Sequence, residues 1–91
     1  MGQKQGRQKI ELETKPSRNR KDHFEVRIKN KSDQPLSVRF VTFSLPCLRK
    51  DSLEIVPAKT LKIWEVPSTF SVELAGKYYS VATTETHKLR I

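Results

Sequence analysis

The most regular stretch of the chain is Phe24-Glu25-Val26-Arg27-Ile28-Lys29-Asn30. Phe24, Val26 and Ile28 fall on one side and Glu25, Arg27 and Lys29 on the other, the period of a half-buried strand. Leu36 to Leu45 alternates first through Leu36, Val38 and Phe40, then turns apolar on both sides through Val41, Phe43 and Leu45. Such a change predicts a bulge, or a strand covered on both faces towards its end. Leu53 to Val56 is a short strand closed by Pro57. Thr60 to Val66 alternates again, with Leu61, Ile63 and Glu65 on one side and Lys62, Trp64 and Val66 on the other. His87 to Ile91 reads as a last edge strand with Leu89 and Ile91 inward. Lys9 to Thr14 alternates as an edge strand would. Asn30 to Pro35 is a turn of residues that bond their own backbone or fix φ. Pro46 to Ser52 reads as a loop with one helical turn, setting Cys47 near the core.

Phe70 to Thr83 folds into a hairpin. Gly76-Lys77 suits a type II′ turn, which takes Gly at its first central position. Pairing Leu74 with Tyr79 and Val72 with Val81 then gathers Phe70, Val72, Leu74, Tyr79 and Val81 on one face. The expected partners of that face are Phe24, Val26, Ile28, Leu61 and Ile63. Trp64 and Tyr78 fall on the outward sides.

No window shows a sustained helical period. Six to eight short strands separated by turn signals predict an all-β chain, an antiparallel immunoglobulin-like sandwich, with a small β-barrel as the alternative. The expected organisation is a basic, largely flexible segment at 1–22 before one β domain at 23–91.

Composition agrees with partial coverage. A 91-residue chain holds one small core, and 35% hydrophobic against 31% charged residues leaves part of it in water. The single cysteine excludes an internal disulfide, and the two histidines with it make no zinc pattern. His23, His87 and Cys47 are too few and too dispersed to predict catalysis, so no enzyme, cofactor or metal is expected. There is no apolar run of membrane-spanning length and no signal-peptide pattern, and an intracellular protein is expected. Gly2 lacks the serine or threonine that a myristoylation signal carries downstream.

Charge changes the picture most. The formal net charge is +8. Residues 1–22 hold seven basic side chains against three acidic ones, a net +4, while the other 69 residues share the remaining +4. Lys4, Arg7, Lys9, Lys15, Arg18, Arg20 and Lys21 are the candidate contacts to a nucleic acid or another polyanion, since cations on phosphates release counterions. Arg27 and Lys29 share one strand face and would extend that patch, with Arg39 joining from the next strand. The alternative partner is a protein, docking by a strand edge or by Trp64 and Tyr78. Edges at 8–14 and 87–91 leave a strand-mediated homodimer open.

Overall fold

The computed structural model describes residues 9–44 and 48–90. Within them lie eight strands: β1 (Ile10–Pro16), β2 (His23–Asn30), β3 (Leu36–Ser44), β4 (Leu48–Val56), β5 (Thr60–Pro67), β6 (Ser71–Leu74), β7 (Lys77–Ser80) and β8 (Glu85–Leu89). They form two four-stranded sheets, β5-β2-β1-β8 (sheet 1) and β4-β3-β6-β7 (sheet 2), and every pairing is antiparallel. Together the sheets enclose one apolar layer, as in a small β-sandwich.

That layer is the inward half of each alternating pattern. Sheet 1 contributes Ile10 and Leu12 from β1, Val26 and Ile28 from β2, and Val66 from β5; sheet 2 contributes Leu36, Val38, Phe40, Val56, Val72 and Leu74. Leu12, Val26, Ile28, Val38, Val56 and Val72 are wholly buried. Trimming any one of the buried Leu or Ile side chains to Ala costs about 2–5 kcal/mol, so this set specifies which face of each strand turns inward. Val41 lies on the outer side of β3, opposite Asp51 and Ser71, yet is 1% exposed. Adjacent Phe40 and Val41 are therefore both buried, on opposite sides of β3; the side chains of Phe43 and Leu45, which complete the double-sided run, lie outside the described residues.

Four expectations change. β1 is a central strand, paired with β2 on one side and β8 on the other. The boundary drawn between 22 and 23 thus falls inside the β1–β2 hairpin, and residues 10–22 belong to the β domain. β4 begins at Leu48, because its ladder runs the whole length of β3 from Ser44↔Leu48 to Leu36↔Val56. Lys50, Asp51 and Ser52 obscure it, since an edge strand held by backbone bonds need not be apolar. The β6–β7 turn is Ala75-Gly76, both at positive φ (51° and 80°), a type I′ rather than a type II′ turn. Val72 then faces Tyr79 and Leu74 faces Lys77. That register differs by two residues along β7, an even shift, so Val72, Leu74 and Tyr79 stay on one face. Finally, β5 is turned over. Trp64 points inward, edge-on to Phe40 with ring centroids 5.1 Å apart, while Leu61 and Ile63 are 48% and 49% exposed on the outer face. Both sides of β5 carry large apolar residues, and the bulkier ring takes the cross-sheet contact.

The registers also define two ends. At one lie the β2–β3 and β4–β5 loops and the Ala75-Gly76 turn; at the other lie the β1–β2, β5–β6 and β7–β8 loops. Asn30 organises the first end. It is 1% exposed, and its Nδ2 donates to the carbonyls of Gln34 (2.8 Å), Val56 (3.0 Å) and Pro57 (3.2 Å). Its Oδ1 accepts from Ser32 N (3.0 Å) and Ser32 Oγ (2.7 Å). One amide thus ties together the two connections that cross between the sheets at this end, and burying it unbonded would cost about 1–3 kcal/mol per group.

Candidate nucleic-acid interface

The opposite end carries the basic loop. Residues 17–22 join β1 to β2 and present Arg18, Arg20 and Lys21, all exposed. Their backbone is held from below. Ser17 N donates to His23 O at 3.0 Å, and Ser17 Oγ accepts from the backbone amides of Asn19 and Arg20, both at 3.1 Å. Glu65 on β5 receives Ser17 Oγ (3.1 Å) and Asn19 Nδ2 (3.3 Å) on one oxygen, Oε2. Ser68 N donates to Asp22 O at 2.9 Å, and His23 Nδ1 donates to Lys21 O at 2.8 Å. Asp22 adopts φ 61°, a left-handed conformation that Asp tolerates better than most residues. Three cations are thus displayed on a fixed backbone, the serine and carboxylate beneath being spent on backbone and amide groups. Among the described residues, none of Arg18, Arg20 or Lys21 enters an ion pair.

The strand cations differ. The outer face of sheet 1 interleaves Glu11, Glu13, Glu25 and Glu65 with Lys15, Arg27, Lys29 and Lys88. Arg27 Nε donates to Glu25 Oε2 at 2.7 Å and its Nη1 lies 3.9 Å from Glu13 Oε1. Lys15 Nζ lies 3.9 Å from the same Glu25 oxygen. Lys29 sits directly across from Glu11, whose Oε2 accepts from Lys31 Nζ at 2.8 Å. That hydrogen bond, reinforced by the positive charge of Lys31, Lys88 and Lys29 nearby, holds the Glu11 carboxyl below the ordinary range. This face is a mosaic of both signs, and Lys15 and Arg27 are answered by carboxylates before any ligand arrives.

Arg39 does not join it. It lies on the outer face of sheet 2, in a cross-strand row Leu53, Arg39, Glu73, Tyr78, on the opposite side of the sandwich from Arg27. The expected stripe from Lys15 to Arg39 is therefore interrupted by the core. Lys9 sits at the far end, its N donating to Leu89 O at 3.1 Å and its O accepting from Lys31 N at 2.8 Å. Lys4, Arg7, Gly2, Cys47 and Ile91 lie outside the described residues. Of the two aromatic candidates, Tyr78 is outward and 52% exposed, whereas Trp64 is half-buried against the core. The exposed apolar surface of β5 is Leu61 and Ile63, which alternation alone had set inside.

Among the described residues no group of three His, Cys, Asp or Glu side chains converges as a metal site. Comparison with family models, with curated proteins and with solved structures finds no match.

Proposed function

We propose that the chain is a non-enzymatic binding protein that grips the backbone of RNA or DNA through the β1–β2 loop, with Arg18, Arg20 and Lys21 as its central contacts. The observation that carries this reading is the contrast in ion pairing: loop cations without carboxylate partners, against Lys15 and Arg27 on the strands, which have them. Binding to a phosphate costs an unpaired cation only its hydration, whereas Arg27 must also give up Glu25. The fixed loop backbone lowers the entropy lost on binding. Lys4 and Arg7, which precede the fold in sequence, add charge to the same partner. Residues 17–22 include no aromatic side chain, so the loop contacts favour backbone geometry over base identity.

The fold reading sharpens in the same way. Sheet order β5-β2-β1 against β4-β3-β6-β7, with the chain crossing between sheets after β2, β4, β5 and β7, supports an immunoglobulin-like sandwich in which β8 is an extra strand beside β1.

The test is fluorescence anisotropy of a labelled single-stranded oligonucleotide titrated with the full chain across salt concentrations. Affinity should fall steeply with salt; no binding at about 50 mM salt would end the proposal. Deleting residues 1–21 is unsuitable because it removes β1 from the middle of sheet 1. Point substitution of Arg18, Arg20 and Lys21 to Gln isolates the loop.

A further inference from the structure

The outer faces of the two sheets are unlike. Three of the five exposed large hydrophobic side chains among the described residues, Leu53, Ile55 and Tyr78, stand on the outer face of sheet 2. They flank a central pair of opposite charge, in the row Leu53, Arg39, Glu73, Tyr78 that runs straight across β4, β3, β6 and β7. Arg39 enters no ion pair among the described residues, although Glu73 stands directly across from it. Beside the pair lies a hollow of about 180 Å³ bordered by Ser37, Arg39, Leu53, Glu73 and the Ala75-Gly76 turn. Among the described side chains this face sets Arg39 against Asp51 and Glu73, so little of the chain's +8 resides on it.

That row is self-complementary under a two-fold rotation. Laying the face on a second copy, with the axis between β3 and β6 and along the strands, sets Leu53 over the partner's Tyr78 and Arg39 over the partner's Glu73, each contact occurring twice. Ile55 then covers the partner's Ala75-Gly76 turn, where Gly76 has open space beside it. An axis across the strands instead sets Arg39 on Arg39 and Glu73 on Glu73, which like-charge repulsion opposes. The outer face of sheet 1 offers no such match: turned about its strands, its Leu61 meets Lys88 and its Ile63 meets Thr86. Edge-to-edge pairing is guarded at β4 and β5, where Glu54 and Lys62 take inward-facing positions.

We infer that this face is a homodimer interface, with two copies packed sheet 2 on sheet 2 about an axis along the strands. Four strands about 4.8 Å apart, and the 9 residues of β3 rising about 3.3 Å each, give a face of about 15–20 by 30 Å. That is the small end of specific interfaces, so the dimer is micromolar rather than permanent. The same axis turns the β1–β2 loops of both copies to one end. With stacked sheets about 10 Å apart, the two loops lie about 30 Å from each other. On the loop reading proposed above, one strand of nucleic acid therefore meets two basic loops, which raises its affinity without a new kind of contact.

The test is sedimentation velocity of the full chain without nucleic acid, so that failure of the dimer and failure of the loop reading stay separate. The native chain should pass from monomer to dimer at micromolar concentrations. Leu53→Glu and Tyr78→Lys alter exposed side chains, and each should weaken dimerisation about tenfold or more. Their equimolar mixture should recover it, since the mixed dimer keeps one native Leu53–Tyr78 contact and sets the new carboxylate against the new ammonium. Three results overturn the proposal: a native chain that stays monomeric up to about 1 mM, either variant dimerising as the native chain does, or a mixture no tighter than the variants alone, which is the outcome of the crosswise axis.

Discussion

The two ends of the sandwich are built around polar anchors that do opposite things. At the β2–β3 end Asn30 is sealed in, and its five hydrogen bonds are all internal. At the β1–β2 end Glu65 and Ser17 fix a loop whose cations face solvent. The same element pair, β2 and β5, supplies both anchors, one near each end. The lesson is that a small all-β chain can spend buried polarity on stability at one end and leave charge for binding at the other.

The largest expected effect breaks the first end. Asn30→Leu leaves carbonyls of Gln34, Val56 and Pro57 without their buried donor, and should lower unfolding free energy by about 2–4 kcal/mol in chemical denaturation. The loop triple substitution of Arg18, Arg20 and Lys21 to Gln should change stability by less than about 0.5 kcal/mol, since these side chains are exposed and enter no side-chain hydrogen bond or ion pair among the described residues. If it destabilises as much as Asn30→Leu, the division between the ends is wrong. Glu65→Ala sits between. Losing its two bonds should cost about 1 kcal/mol and weaken oligonucleotide binding only a few-fold, through a looser loop. Ala75→Gly tests the first end in the stabilising direction. Ala at φ 51° is strained, and relief should raise stability by about 0.5–1 kcal/mol, read from the denaturation midpoint.

The smallest effect concerns pH. Glu11 is held below its ordinary pKa first by the Lys31 hydrogen bond, so its folded carboxyl binds protons less readily than its unfolded one. The stability it adds is therefore present above the unfolded pKa and is lost as pH falls through the lowered folded value. Glu11→Gln should flatten that slice of the acid limb in thermal melts and leave neutral-pH oligonucleotide affinity unchanged. An unaltered acid limb would show that the pair contributes nothing.

Sequence reading recovered the strands whose inward face is apolar throughout: β2, the first half of β3 and the β6–β7 hairpin. It could not tell a central strand from an edge in β1, because Glu11, Glu13 and Lys15 look alike whether β8 is present or not. The first half of β4 was illegible for the converse reason: edge residues 50–52 are polar. On β5, Trp64 and the Leu61/Ile63 pair compete for the core, and only the cross-sheet contact with Phe40 decides. The basic residues themselves were legible as candidates. Which of them are neutralised was not, since Glu13 and Glu25 reach Arg27 only through the β1–β2 register, and Arg39 is carried to the other sheet by the β2–β3 crossing.

The central claim is that the loop cations, rather than the strand cations, hold the nucleic-acid backbone. Salt slopes measured side by side on a single-stranded oligonucleotide test it most directly. Gln at Arg18, Arg20 and Lys21 should reduce the slope of log affinity against log salt by about 2, while Gln at Lys15 and Arg27, which are ion-paired, should reduce it by less than about 1. A sheet variant that lowers the slope as much as the loop variant, or a loop variant indistinguishable from the native chain, would contradict the account.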